Sequence, residues 1–210
     1  MDEKCSFIYN TLQEIYKVPK CELNYENNFQ LLVAVILSAQ CTDKRVNIVT
    51  KELFKKYKTP QDFLKLRQIE LEKLIYSCGF YKNKAKNILA MCYDLVEKYN
   101  GVVPNKLEDL ITLSGVGRKT ANVVLSEGFK QNAIAVDTHV FRVSHRLNLS
   151  KSKTPDKTEE DLKKIFDENL WSVLHLYLVL FGRYICKSQK PSCDICKFNN
   201  ICEFYKGRNN

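Results

Sequence analysis

The segment Leu113-Ser-Gly-Val-Gly-Arg-Lys-Thr-Ala-Asn-Val-Val124 places two glycines one residue apart and then continues with a helical pattern. Leu110–Leu113 is predicted to end one short helix, and Arg118–Leu125 to begin the next. Gly115 and Gly117 permit a tight turn between these helices and leave backbone N–H groups open to an anion. The start of the second helix adds the positive end of its dipole. The pattern therefore predicts an anion-binding hairpin or an ordinary tight turn between packed helices.

Helical periodicity extends to both sides of this segment. One apolar stripe predicts a helix that ends at Asn100-Gly101, and a second predicts a helix near the N-terminus. The stripes are Ala85, Ile88, Leu89, Cys92, Leu95 and Val96, and Phe7, Ile8, Leu12 and Ile15. Residues 31–37 and 173–181 are apolar all round, which predicts buried helices. No stretch alternates convincingly with period two, so we expect an all-α fold of about ten helices.

The composition is that of a globular protein of one domain or two small ones, with 210 residues and a net charge of +9. The excess of 33 Lys and Arg over 24 Asp and Glu makes a polyanionic partner plausible. The longest apolar run, residues 31–37, is far shorter than the ~20 residues that span a bilayer. Met1–Lys4 is charged, unlike the start of a signal peptide. We expect a monomeric, cytoplasmic protein without a membrane partner.

Four of the nine cysteines lie within seventeen residues near the C-terminus. They are Cys186, Cys193, Cys196 and Cys202. Because disulfides are rare in a reducing cytosol, the cluster predicts a metal site. A tetrahedral set of thiolates suits zinc or an iron–sulfur cluster, and the spacing does not choose between them. The segments between the cysteines are too short to form a core, so the metal is expected to order this loop.

Several of these motifs together resemble those of the endonuclease III family of DNA glycosylases. The segment of residues 113–124 resembles the family's helix–hairpin–helix motif. Residues 135–143, Ala135-Val-Asp-Thr-His-Val-Phe-Arg-Val143, resemble the segment with the family's catalytic aspartate. Leu37-Ser-Ala-Gln-Cys-Thr-Asp43 resembles an early motif, and Gly182-Arg-Tyr-Ile-Cys186 leads into the family's C-x6-C-x2-C-x5-C pattern. The matches cover roughly residues 28 to 205 in the family's order.

The resemblance implies a two-lobed helix–hairpin–helix DNA glycosylase fold. Residues 21–131 would form the domain that contains the hairpin. Residues 1–20 and 132–210 would form the other domain, which carries the cluster loop, residues 186–202. The resemblance also favours a four-iron four-sulfur (4Fe-4S) cluster over zinc on the four cysteines. The implied activity is base excision repair: removal of oxidised pyrimidines from damaged duplex DNA, followed by abasic-site lyase cleavage.

Lys119 and Asp137 are the expected catalytic residues. Lys119 matches the family's Schiff-base lysine, whose amine attacks the sugar and cleaves the backbone by β-elimination. A lysine must be partly neutral to attack, so we expect desolvation and the neighbouring Arg118 to lower its pKa. Without the resemblance, Lys119 would be an ordinary solvated lysine. Asp137 is expected to stabilise positive charge on the sugar, and it also suits the N-cap of a helix.

Contacts with duplex DNA are implied at several other positions. Gln40 matches a family residue that enters the DNA duplex when a base is flipped out, and Phe80 matches an apolar wedge. Phe80 is alternatively a core aromatic residue. The hairpin residues Gly115, Val116, Gly117 and Arg118 would bind backbone phosphates. Lys187 and Lys190 in the cysteine loop would do the same or would serve only solubility.

Two positions depart from the family pattern, and one nearby residue has no assigned role. Ser114 stands where the family usually has proline, which should loosen the entrance of the hairpin. Phe181 replaces a frequent histidine, which should change pocket contacts or helix packing. His139 is interpreted as structural.

Other functions remain open from the sequence. A monofunctional relative, such as the adenine glycosylase that acts opposite oxidised guanine, normally lacks the lysine found at Lys119 and carries a further C-terminal domain. A pyrimidine-dimer glycosylase of the same fold differs only in its pocket. A non-catalytic DNA-binding module would need neither Lys119 nor Asp137. A metal-dependent nuclease is disfavoured because no carboxylate pair forms a recognisable magnesium motif.

Overall fold

The structure is a computed structural model that describes residues 1–209, in which every regular element is a helix. The twelve α-helices are α1 (Glu3–Tyr16), α2 (Asn28–Ser38), α3 (Asp43–Lys56), α4 (Pro60–Phe63), α5 (Gln68–Ile75), α6 (Tyr81–Tyr99), α7 (Leu107–Leu110), α8 (Arg118–Val123), α9 (Thr138–Arg146), α10 (Pro155–Ile165), α11 (Trp171–Tyr184) and α12 (Glu203–Asn209). A π-helical turn, Val124–Gly128, continues α8, and short 3-10 turns include Tyr76–Cys78. The all-α prediction is confirmed.

The described chain divides into two compact units. The first contains Met1–Lys20 and the chain from Gln131 onward, and the second is Cys21–Lys130. Each unit has residues of its own that bear on function, and each is described separately below.

The unit of residues 21–130 is built around α2, whose residues 29–37 are all buried. Side chains of Asn27 and Thr42 accept hydrogen bonds from backbone N–H groups and fix the starts of α2 and α3. Helix α6 ends where its stripe predicts, because Asn100 and Gly101 adopt φ values of 54° and 79°. The predicted buried helix and the predicted stop are both confirmed.

The other unit packs α1, α9 and α11 around one apolar cluster. Ile8 and Leu12 of α1 lie in this cluster with Val140 of α9 and Leu178 of α11. The chain enters α9 through residues 133–136, which are buried and lie outside any helix. This buried segment holds the start of α9, and with it Asp137, in a fixed position.

Three local predictions differ from the structure. Phe7 is 46% exposed and packs edge-on to Phe198, while Tyr9 occupies the buried face of α1. Helix α11 is not buried all round, because residues 173, 176, 179 and 180 are half-buried. The first hairpin helix, α7, ends at Leu110 instead of Leu113, and hydrogen bonds from Thr112 to Asp109 and from Leu113 to Leu110 form turns there. Among residues 1–209, no helix is long and apolar enough to cross a bilayer.

Candidate active site and cysteine loop

The hairpin between α7 and α8 is a tight turn with an exposed backbone. Val116 is buried and donates its N–H to Leu113 over 3.1 Å, which anchors the tip of the turn. Gly115 and Gly117 on either side are exposed. Gly117 is the N-cap of α8 and has no side chain to satisfy the first N–H groups of that helix. The turn can therefore present backbone donors to an anion from solvent.

The two glycines are required for different reasons. Gly115 has φ of 76°, and a Cβ there would lie 2.7 Å from Cβ of Asn87 on α6. A side chain at Gly115 is thus excluded by both conformation and space. Gly117 has φ of −88°, and a Cβ there would meet no atom within 4 Å. No atom of residues 1–209 would oppose a side chain at position 117, whereas close approach of a ligand to the backbone would explain the glycine.

Ser114 at the entrance of the hairpin is held by Asp94 of α6. Its hydroxyl and its backbone N–H donate to Oδ2 of Asp94 over 3.1 and 3.3 Å. Oδ1 of Asp94 accepts from Lys98 over 2.8 Å. Although burial acts in the opposite direction, these bonds lower the pKa of Asp94 and keep it an acceptor.

Lys119 is the second residue of α8, as the sequence predicts, and its side chain is exposed. Ala121 and Asn122 on the same helix are buried and fix the helix beneath it. The desolvation expected of the nucleophile is therefore not provided by the chain around Lys119. In this respect the structure differs from the prediction, because the first turn of α8 is open to solvent.

Asp137 is the N-cap of α9, and its carboxylate is half-buried. Oδ1 accepts hydrogen bonds from the backbone N–H groups of His139 and Val140, both over 2.8 Å. Oδ2 has no hydrogen bond to any atom of residues 1–209. The N-cap interpretation is confirmed, and the same bonds immobilise the carboxylate while leaving one oxygen for another partner.

His139 belongs to α9 and packs against α11. Its Nδ1 is 3.2 Å from a guanidinium nitrogen of Arg142, and a Cβ on Gly182 would lie only 2.8 Å from Cβ of His139. Burial lowers the pKa of His139, and Arg142 and Arg183 lower it further against the effect of Asp137. A neutral, closely packed imidazole is consistent with a structural role.

Gln40 and Phe80 lie on two neighbouring turns of the unit of residues 21–130. Both are exposed and have left-handed φ values, 53° for Gln40 and 47° for Phe80. A Cβ on Gly79 would lie 3.9 Å from the carbonyl oxygen of Gln40, so the two turns are adjacent. Because Phe80 is 68% exposed, it is not a core aromatic residue.

One buried lysine, which the sequence patterns did not predict, links the end of α2 to the turn that precedes Phe80. Nζ of Lys84 donates to the carbonyl oxygens of Leu37 and Cys78 over 2.9 and 2.6 Å. Lys84 is only 5% exposed. It lies four residues before Ile88 on the buried stripe of α6, and that position is the signal that predicts its burial.

The four cysteines of the C-terminal loop line a single cavity, together with Phe181 and Phe204 among others. Arg146 of α9 donates to Sγ of Cys186 over 3.4 Å and to the carbonyl oxygens of Lys187 and Ser188. The guanidinium also lies 3.9 Å from the ring centroid of Phe204. Arg146 thus ties the loop to α9.

The structure shows the surroundings of the two residues that depart from the family pattern and of the two loop lysines. Phe181 is buried against Phe198, with ring centroids 5.2 Å apart, so this departure affects helix packing. The hydrogen bonds of Ser114 oppose the loosening expected from loss of the proline. Lys187 and Lys190 are both exposed.

Comparisons with known proteins agree with these observations. The model of the "HhH-GPD superfamily base excision DNA repair protein" family matches residues 33–168, more than half of the chain. Endonuclease III of Rickettsia conorii is 50% identical over 202 residues, which cover 94% of this chain and 96% of that protein. The chain belongs to the endonuclease III family. It is a base-excision DNA glycosylase, and abasic-site lyase activity is typical of the endonuclease III family.

Two solved structures show the same endonuclease III fold. One is a non-covalent endonuclease III–DNA complex, with a TM-score of 0.95, 46% identity, and coverage of 100% of this chain and 99% of that one. The other is a trapped endonuclease III–DNA covalent intermediate, with the same TM-score and identity and complete coverage of both chains. The predicted helix–hairpin–helix glycosylase fold is confirmed.

Proposed function

We propose that this endonuclease III-family glycosylase removes oxidised pyrimidines from damaged duplex DNA and cleaves the resulting abasic site through a Schiff base on Lys119. The observation that carries the proposal is the position of Lys119. It is exposed on the first turn of α8, two residues after the open backbone of Gly117. A phosphate bound at the hairpin would bring the sugar backbone next to this amine.

The amine of Lys119 supplies the covalent step. Its lone pair attacks the anomeric carbon of the sugar, and the damaged base leaves with the glycosidic electrons and a proton from the amine. The bond between the anomeric carbon and the ring oxygen then opens, the oxygen takes up a proton, and a protonated imine forms. The imine acidifies the neighbouring carbon, whose deprotonation expels the 3′ phosphate. Because the free chain leaves Lys119 in solvent, bound DNA would provide the desolvation that favours the neutral amine. The relative trapped as a covalent intermediate with DNA supports a covalent route.

Asp137 would act on the charge that develops at the sugar. Two backbone N–H groups hold its Oδ1, so the carboxylate needs little reorganisation when positive charge appears. The exposed edge of the group would also accept and return protons during attack by Lys119. A fixed, half-buried carboxylate is more effective in this role than a mobile one.

Contacts with the duplex would come from the exposed turns. Gly115, Val116, Gly117 and Arg118 would bind backbone phosphates, with Lys187 and Lys190 as further cationic contacts. Gln40 would fill the space of the flipped base, and Phe80 would wedge between base pairs. Their support is exposure on adjacent, conformationally fixed turns.

We also propose that Cys186, Cys193, Cys196 and Cys202 bind a four-iron four-sulfur cluster. A single zinc ion would need all four sulfurs about 2.3 Å from one point. The C-x6-C-x2-C-x5-C spacing, which resembles the pattern of the endonuclease III family, favours the cluster over that ion. All four cysteines line one shared cavity, so together they could hold such a group. Bound there, the cluster would order the loop that carries Lys187 and Lys190.

The test is a cleavage assay on four labelled duplexes that differ in one lesion. They contain thymine glycol, a pyrimidine dimer, adenine opposite oxidised guanine, or a preformed abasic site. We expect strand cleavage at thymine glycol and at the abasic site. Cleavage of the dimer duplex alone would identify a dimer glycosylase, and an adenine-derived abasic site without a nick would identify a monofunctional enzyme. Binding of the duplexes without any reaction would identify a non-catalytic DNA-binding module.

A further inference from the structure

Two cysteines outside the C-terminal loop lie on the adjacent turns that carry Gln40 and Phe80. Cys41 follows Gln40, and Cys78 ends the 3-10 turn that precedes Gly79 and Phe80. The two turns are adjacent, because a Cβ on Gly79 would lie 3.9 Å from the carbonyl oxygen of Gln40, and the two thiols act on each other electrostatically. Cys78 is 1% exposed, whereas Cys41 is half-buried and can be reached from solvent. This pair has no part in the proposed repair chemistry.

The pair lies beside buried positive charge. Lys84 acts on both thiols, and its Nζ donates to the carbonyl oxygen of Cys78 itself. Arg45 is a second cation that acts on Cys78. Burial and the contact with Cys41 raise the pKa of Cys78 to about 11, against the effect of Lys84 and Arg45. Cys78 is therefore a protonated thiol in the resting protein, and Cys41 is the more accessible partner.

We propose that Cys41 and Cys78 are a reversible redox site, oxidised by a low-molecular-weight disulfide such as glutathione disulfide to an intramolecular disulfide. The bond would link the turn of Gln40 to the turn of Phe80. The site itself follows from the adjacency of the two turns that carry the cysteines. Its effect on DNA rests on the function proposed above for Gln40 and Phe80.

The reaction consists of two thiol–disulfide exchanges. The Cys41 thiolate attacks glutathione disulfide, the S–S bond of glutathione breaks, and one glutathione leaves with a proton. The sulfur of Cys78 then attacks Cys41 Sγ in the mixed disulfide, and the second glutathione leaves with the proton of Cys78. The two cysteines lose two electrons in total, and one glutathione disulfide becomes two glutathione thiols.

Oxidation would alter the two turns that carry Gln40 and Phe80. Both thiols are free, and an S–S bond is about 2.05 Å long, much shorter than any contact between sulfur atoms that are not bonded, so the turns must move together. Gln40 and Phe80 already have left-handed φ values of 53° and 47°, and little freedom is left at these residues to absorb that movement. We expect the oxidised protein to bind a duplex with an abasic-site analogue at least about fivefold more weakly, a coupling of ordinary size.

The experiment uses the full-length, metal-loaded protein, oxidised with glutathione disulfide and then freed of it. Intact mass should fall by two hydrogen atoms, and peptide mapping should recover a peptide that links Cys41 to Cys78. Duplex affinity should fall and then recover after dithiothreitol. Cys41→Ser should form no such link and should bind equally with and without oxidant. Cys21→Ser, which removes another half-buried cysteine, should behave like the wild type. Unchanged visible absorbance would show that the C-terminal cysteines were not attacked.

Each failure has its own meaning. Absence of the Cys41–Cys78 peptide overturns the redox site whatever the DNA affinity does. A linked peptide with unchanged affinity overturns the proposed effect on the two turns. If the disulfide forms but even the reduced protein does not bind the abasic-site duplex, the redox site is supported and the proposed repair function fails instead.

Discussion

The hydroxyl of Ser114 donates a hydrogen bond to Oδ2 of Asp94 over 3.1 Å, and this contact ties the hairpin entrance to α6. Lys98 holds the other carboxylate oxygen of Asp94. The family resemblance places proline at position 114, where a rigid ring would restrict the backbone. In this chain the restriction comes from a side-chain hydrogen bond, so the hairpin is fixed by different means.

Ser114→Ala removes that hydrogen bond and leaves part of the carboxylate of Asp94 without its partner. We expect a loss of about 1 kcal/mol of unfolding free energy, the usual value for one hydrogen bond. Thermal denaturation of the variant measures it as a drop of about 2–4 °C. Ser188→Ala, at an exposed serine whose backbone carbonyl is kept, should leave the transition unchanged. Equal transitions for both variants would mean that the contact does not fix the hairpin.

Alanine substitutions at the two hairpin glycines should separate stability from DNA binding. Gly115→Ala should cost roughly 2 kcal/mol, because the positive φ and the contact with Asn87 both oppose a Cβ. Gly117→Ala should cost less than about 1 kcal/mol, as expected for an N-cap change. The same variant should bind duplex DNA about tenfold more weakly, because loss of one hydrogen bond to a charged phosphate has about that effect. Denaturation curves and filter-binding titrations measure the two effects. Full affinity in Gly117→Ala would contradict a phosphate site at the hairpin.

Substitutions of Asp137 should separate its cap from its charge. Asparagine is as good an N-cap as aspartate, so Asp137→Asn should unfold like the wild type, whereas Asp137→Ala should lose about 1 kcal/mol. Both should lower single-turnover base release by at least about 10²-fold, because both remove the carboxylate charge. Denaturation and base-release assays on thymine glycol duplex provide the comparison. Substantial activity in Asp137→Asn would limit Asp137 to a capping role.

Metal analysis tests the cysteine loop. The purified protein should contain about four irons per chain, as a four-iron cluster requires. Replacing Cys202 with Ser should lower the iron content and expose the loop to protease, because the loop has little apolar core of its own. Cys92→Ser, at a cysteine buried in α6, is the control: it removes a thiol that binds no metal and should keep its iron. One zinc per chain and no iron would refute the cluster.

Long, regular patterns made much of the fold predictable. The run of residues 31–37 predicts a buried helix, and the α6 stripe with Asn100-Gly101 predicts where that helix ends. Helices α4 and α7 are four residues each, too short for periodicity to reveal. Phe7 belongs to an apolar stripe but is half-exposed, because Tyr9 fills the core in its place.

The sequence nominates the residues of the candidate site, but it predicts less of their surroundings. Asp137 is the N-cap that its position before α9 indicates. The contact between Ser114 and Asp94 joins residues twenty apart on different helices, and no local pattern specifies such a contact. Exposure of Lys119 depends on what packs over α8, which is a tertiary property that the sequence near the lysine does not encode.

The most direct test of the central claim is borohydride trapping on a duplex with one abasic site. If Lys119 forms an imine with the sugar, borohydride will reduce it and leave a covalent protein–DNA band on a denaturing gel. Lys119→Gln should bind the same duplex but give no band, because the exposed side chain of residue 119 contributes little to the fold. A band of equal strength in Lys119→Gln, or none in the wild type despite binding, would contradict the proposed mechanism.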